Sequence, residues 1–279
     1  MKKFLIIGLI FILAGGLFCG AAYAVGEKNA DSLLGAFDTS FPAAEIKKIE
    51  IGEHLAEINF ANSKSDAKTI TVNAKNISES DFECRLVGDD TLYISYDPPP
   101  NKRFGFISLP VFHFSNRVFP VITVYIPKDL DFESVRFGGG VGEVNIDELT
   151  VADFTIGGGL GNYCINKLTV NKNGGFKIED GVGEIEISNA EIYGETVIMG
   201  GLGNIFISGK IEGDINMNTG VGNVDLNLFG NASDYNITAK RGVGEVKLNG
   251  KNIGNEIYTG GKYHIDIEAG LGNINIEIK

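Results

Sequence analysis

One seven-residue phrase recurs seven times in the second half of the chain, and no other feature limits the fold so tightly. The copies are GVGEVNI from Gly140, GLGNYCI from Gly159, GVGEIEI from Gly181, GLGNIFI from Gly201, GVGNVDL from Gly220, GVGEVKL from Gly242 and GLGNINI from Gly270. All obey G-[V/L]-G-[E/N]-apolar-x-[I/L], and successive copies start 19, 22, 20, 19, 22 and 28 residues apart. Between them, polarity alternates with a period of two: Val144 and Ile146, then Leu149 and Val151, then Phe154 and Ile156, each pair split by a polar residue. Up to three short strands per unit, glycine corners and no helical period predict an all-β, single-stranded β-helix-like solenoid of about seven coils.

One coil cannot bury its apolar face alone. Coils stacked about 4.8 Å apart pair each other's backbones and pile like residues into ladders. The register predicts one ladder through Val144, Tyr163, Ile185, Ile205, Val224, Val246 and Ile274, and a second through Ile146, Ile165, Ile187, Ile207, Leu226, Leu248 and Ile276. Each buried Val, Ile or Leu contributes about 1.5–3 kcal/mol. With coils stacked in chain order, Ile274–Lys279 becomes an uncapped edge strand, guarded only by Glu277 and Lys279 and able to pair with another chain.

A glycine-rich phrase before a strand also invites a ligand reading. A phosphate loop needs G-x-G-x-x-G opening a helix, but here no glycine stands sixth and strands follow. Calcium-binding rolls need an Asp where this chain has Val144 or Ile185. The corner glycines, Gly140, Gly142, Gly159, Gly161, Gly181, Gly183, Gly201, Gly203, Gly220, Gly222, Gly242, Gly244, Gly270 and Gly272, therefore read as structural. The next position runs Glu143, Asn162, Glu184, Asn204, Asn223, Glu245, Asn273, which spares any two stacked glutamates and lets Asn hydrogen-bond along the ladder. On the outward row, Glu186 and Asp225 lie two coils apart, about 9.6 Å, with Phe206 between them. That is the far edge of an inverting-hydrolase spacing and the one catalytic alternative. His54, His113 and His264 are scattered, without metal-ligand spacing. No catalytic residue, cofactor or metal site is expected, and no enzyme.

The 279-residue chain has 43% hydrophobic residues, enough to bury a core, and a net charge of -12 that disfavours nucleic acid as a partner. Its N-terminus is the exception to that polarity. Lys2 and Lys3 precede Phe4–Ala24, 21 uncharged residues that reach about 31 Å as a helix, long enough to span a bilayer. The lysines hold the N-terminus inside and send the remainder out. The expected localisation is the cell membrane, single-pass, with an extracytoplasmic C-terminal domain. Ala22-Tyr23-Ala24 offers the alternative of a cleaved signal and secretion. Of the three cysteines, Cys84 and Cys164 follow this segment and read as two buried thiols, with a single bridge as the alternative.

The expected organisation is residues 1–24 as anchor or signal, 25–45 as linker, 46–130 as an N-terminal β-section and 131–279 as the repeats. The β-section contains a degenerate copy, Glu57-Ile58-Asn59-Phe60, and closes one end of the stack. Within it, 97–120 is a Phe-rich flap carrying Phe104, Phe106, Phe112, Phe114 and Phe119 with Lys102, Arg103 and Arg117. The flap either packs over the solenoid end or docks to a membrane surface or an envelope or membrane protein.

The run VITVYIPKDLDFESVRFGGGVGEVNI and the repeated G-x-G-[E/N] phrase resemble the bacterial β-strand repeat proteins called putative adhesins, or toast-rack domains. Many members carry Thr-Gly-Asp where this chain has Val-Gly-Glu or Leu-Gly-Asn. The resemblance implies a right-handed β-helix-like fold outside the membrane, and non-catalytic roles in adhesion or envelope stress. Rival readings are a carbohydrate-active β-helix enzyme and a passive surface spacer.

Overall fold

The computed structural model describes residues 34–64, 66–98, 103–104, 107–108, 119–179, 181–240, 242–253, 257–258, 260–268 and 270–279. The segment Phe4–Ala24 lies outside these residues. Among them no helix is long and apolar enough to cross a membrane, and 21 strands join into one continuous sheet.

The repeats wind as stacked coils. Gly140–Ile156 pairs in parallel with Leu160–Ile178 along almost its whole length, with Val144 opposite Tyr163, Ile146 opposite Ile165, and Phe154 opposite Phe176. Within one coil, Val144 and Ile146, Leu149 and Val151, and Phe154 and Ile156 are all buried. The inward parity slips at Asp147-Glu148 and again at Ala152-Asp153, so each coil bends into three legs. The core runs down the axis. It is densest with aromatics near the N-terminal end, where Phe60–Phe137, Phe137–Phe154 and Phe154–Phe176 lie 5.4, 5.9 and 5.8 Å apart. Such contacts add to simple area burial.

The N-terminal section shares this sheet. Ile58, Asn59 and Phe60 pair with Val144, Asn145 and Ile146, so the degenerate copy is an eighth coil stacked beneath the first. Glu57–Ser63 then pairs in parallel with Val121–Pro127. Beyond that the direction reverses: Thr69–Ser78 runs antiparallel to Val121–Pro127 and Leu34–Pro42 antiparallel to Thr69–Ser78. On the opposite leg Phe82–Val87 closes the edge antiparallel to Thr91–Tyr96. Leu34–Pro42 and the 3-10 turn Ala43–Glu45 therefore form structure where a linker was expected from 25 to 45. The reason is local alternation: Phe37 and Phe41 turn inward and pack on the core, and Phe37 meets Phe82 edge-on at 5.0 Å.

The other end departs from chain order. Ile274–Ile278 does not sit at the edge. It pairs in parallel with Val224–Leu228 on one side and with Val246–Leu248 on the other. On the adjoining leg Tyr263–Glu268 lies between Ile215–Asn218 and Tyr235–Lys240. The last coil is threaded between the two before it, and the first ladder ends Val224, Ile274, Val246. The uncapped terminal edge expected from chain order is thus replaced by an interior strand. A reversal causes this. Asn249 and Gly250 have φ of 48° and 77°, the positive pair that a two-residue type I′ hairpin requires. They turn Val246–Leu248 back into antiparallel Lys251–Asn252. Ile257–Tyr258 likewise runs antiparallel to Tyr235–Lys240. These short returns cover both outer edges, and the 28-residue step holds the length they need.

Candidate functional site

At the corner the second glycine of the phrase makes the closer backbone contact. Gly203 has φ of 155°, and a Cβ there would lie 1.7 Å from the Gly183 carbonyl oxygen of the coil below. No side chain fits that contact, and the second glycines of the other copies meet a neighbouring backbone in the same way. Where the stack begins, the first glycine is replaced by His54, and a Cβ on Gly140 would fall 2.2 Å from its ring. His54 is 5% exposed. Its Nδ1 lies 3.2 Å from the Gly52 carbonyl, and burial lowers its pKa against the raising effect of that hydrogen bond.

The Glu/Asn row beside the corner decides how coils join. Where Glu leads, backbone pairing is unbroken, Glu143 opposite Asn162 and Glu184 opposite Asn204. Where Asn leads, pairing lapses and the side chain replaces it. Asn162 Oδ1 accepts the Glu184 N–H at 3.0 Å, Asn204 that of Asn223 at 3.1 Å, Asn223 that of Asn273 at 3.0 Å and Asn273 that of Glu245 at 3.1 Å. These bonds satisfy N–H groups that would otherwise be left open.

Between the two glycines stands a residue that points outward, and it forms the largest exposed apolar feature of the corner. In stack order the row reads Leu55, Val141, Leu160, Val182, Leu202, Val221, Leu271, Val243, each adjacent to the next. All eight are exposed, from 40% at Leu55 to 71% at Val243. Leu and Val alternate without exception, which holds only because Leu271 is threaded between Val221 and Val243. An open depression of ≈ 520 Å³ runs beside Leu160, Val182 and Leu202. The slot behind the glycines, lined by Tyr163, Ile185 and Ile205, holds only ≈ 50 Å³, well below the roughly 300–1,000 Å³ of small-molecule pockets.

The sequence of the repeats, their stacked geometry and their glycine corners meet in one comparison. The family described as Toastrack DUF4097 matches residues 46–253, well over half of the chain. The chain belongs to the Toastrack DUF4097 family. The match stops at residue 253, so the threaded segment of this Toastrack chain lies beyond it. No curated protein matches the sequence. Among solved structures, a "putative cell adhesion protein" from Clostridium sporogenes is similar at 17% identity, covering 88% of this chain and 100% of the other with a TM-score of 0.38. A "putative adhesin" from Bacteroides fragilis is similar at 15%, covering 86% and 96% with a TM-score of 0.40. A "putative lipid binding protein" from Parabacteroides distasonis is similar at 13%, covering 88% and 96% with a TM-score of 0.30.

The remaining candidates fall as follows in the Toastrack chain. Glu186, Phe206 and Asp225 stack in that order on one outward row. Cys164 is next to Glu186 in that row and is exposed. Both described cysteines are free, and Cys84 is half-buried. The expectation of two buried thiols fails at Cys164 because its position has outward parity. Burial pushes the Cys84 thiol up to about 12. Burial and then the carboxylates of Glu143, Glu186 and Glu184 raise that of Cys164. Neither is poised as a thiolate nucleophile. Among the described residues no His, Cys, Asp and Glu cluster could hold a metal ion. In the flap, Arg103–Phe104 pairs antiparallel with Ile107–Ser108 in a separate two-stranded sheet, and Phe119 is 47% exposed. Phe106, Phe112, Phe114 and Arg117 lie outside the described residues. The exposed Leu/Val row is absent from the sequence-derived candidates. Its signal was parity, since position two of the phrase shares the outward phase of Glu143 and Asn145.

Proposed function

We propose that this Toastrack chain is a membrane-tethered, extracytoplasmic β-repeat protein that acts by non-catalytic contact at the cell envelope, in an adhesin-like or envelope-stress-related role. The observation that carries the contact reading is the unbroken Leu/Val row on the corner, because side chains of this kind gain by being covered. The tether rests on the 21 uncharged residues Phe4–Ala24 behind Lys2 and Lys3. The acidic balance of the chain fits a partner reached through apolar and polar contact better than a nucleic acid.

Alkaline washing of membranes, followed by protease treatment of intact cells, tests the placement. The chain is expected to stay with the membrane and to be cut from outside. Release by alkali, or protection until the cells are broken, would contradict it. The enzymatic rival has its own test: purified protein should leave cell-wall polysaccharide intact. Cleavage that is lost in Glu186→Gln or Asp225→Asn would replace the contact reading with catalysis.

A further inference from the structure

We infer that the corner row is a self-association surface, and that its occupant is a second copy of this chain packed antiparallel about a two-fold axis. The eight side chains, each 40% or more exposed, form one contiguous apolar row, and large contiguous apolar patches on a monomer mark interaction sites. With the flanking polar row, it runs the length of eight coils, about 34 Å by strand spacing, and a standard interface takes ~800 Å² per partner. A straight row of regularly spaced residues matches another such row, and a two-fold axis lets one patch serve both partners.

The alternation sets the direction. Laid antiparallel over all eight coils, Leu55 faces Val243, Val141 faces Leu271, Leu160 faces Val221 and Val182 faces Leu202. Every large side chain then meets a small one, which lets the two rows interdigitate at even depth. A parallel, in-register pairing would set Leu on Leu and Val on Val.

The neighbouring polar row favours the same direction. Antiparallel, Glu143 faces Asn273 and Glu184 faces Asn204. Both asparagines already accept an N–H of an adjacent coil at Oδ1, which leaves Nδ2–H groups to meet a carboxylate. Only the outermost pair, Glu57 and Glu245, sets carboxylate against carboxylate. A parallel, in-register dimer would oppose all four glutamates with their own copies, at a cost in repulsion. The threaded coil is what brings Leu271 and Asn273 into the positions this pairing uses.

Single cysteines in the full chain test both association and direction, in a background carrying Cys19→Ser, Cys84→Ala and Cys164→Ser. Under mild oxidation Val182→Cys and Leu202→Cys should each crosslink to themselves, because their own copies are offset along the row by only one coil, about 4.8 Å. Leu55→Cys and Val243→Cys should each stay monomeric, their own copies being about 34 Å apart. An equal mixture of those two should crosslink. Self-crosslinking at all four positions would mean parallel pairing and overturn the proposal, as would none at Val182 and Leu202. Sedimentation supplies a second reading: Val182→Glu with Leu202→Glu should raise the concentration at half-dimerisation at least about tenfold, at an unchanged melting temperature. Equal dimerisation of that variant would also overturn the proposal. If the variant melts early, the cysteine pattern decides alone.

Discussion

Coils from Gly140 to Leu228 and coils from Gly242 to Ile278 follow the same seven-residue rule, yet they stack by different logic. In the first group each coil lies on the one before it in the chain. In the second, the last coil enters between its two predecessors. The repeat therefore specifies which residues point inward and how neighbours align. It does not specify which coil neighbours which. Any copy can lie on any other, because each presents the same glycine contact and the same apolar ladder. The order is decided by connections, and at this end the Asn249-Gly250 turn reverses the chain.

Ending the chain at Gly261 should have the largest effect on this contrast. It removes an interior strand from two legs, leaving Val224–Leu228 and Val246–Leu248 without their shared partner. The loss should exceed the ~4–5 kcal/mol that bounds most single substitutions. In hydrogen exchange, amides of Val246–Leu248 should lose protection. If the last coil were an end piece, they would keep it. Within the sequential coils, Gly203→Val should cost about 3–5 kcal/mol in urea unfolding, combining a strained φ with a backbone clash. Gly230→Ala, with a φ of 155° but nothing within 4 Å, should cost only about 1–2 kcal/mol. Equal losses would mean that stacked glycine contact is not what joins the coils.

Where the stack begins, His54 should confer a pH dependence. Its folded pKa is lowered, chiefly by burial, so the unfolded state binds the proton more readily. The stabilisation is then complete above the ordinary value of ~6.5 and is lost as pH falls toward the lowered folded value. His54→Gln should flatten the stability profile below about pH 6.5, and an unchanged slope would assign it elsewhere. The smallest effect expected is a gain. Thr196 is fully buried between Phe176 and Ile215, and its hydroxyl has no hydrogen-bond partner among the described residues. Thr196→Val should stabilise by about 1 kcal/mol, and a loss of stability would point to an unseen partner for that hydroxyl.

Much of this fold can be read from the sequence because alternation is a local property. The Val144 and Ile146 ladders follow from parity alone, and so does the place of Glu57 to Phe60 beneath the first coil. Two features escape for opposite reasons. The corner row carries a legible signal, outward parity at Val141 and its equivalents, but the flanking glycines draw attention to themselves. The stacking order leaves almost no trace within the phrase, since long-range pairing between Val224 and Ile274 depends on no residue near either one. Its single local clue is Asn249-Gly250, a hairpin dipeptide inside a pattern of coils.

The threaded end is tested most directly by paired cysteines on the outward row, where neighbouring strands bring Cα atoms to about 4.8 Å, within disulfide range. In a chain without its native cysteines, Asp225→Cys with Asn275→Cys should oxidise to a disulfide, as should Asn275→Cys with Lys247→Cys. Asp225→Cys with Lys247→Cys, two coils apart at about 9.6 Å, should not. A bridge between positions 225 and 247, with none between 225 and 275, would show the coils stacked in chain order and contradict the account.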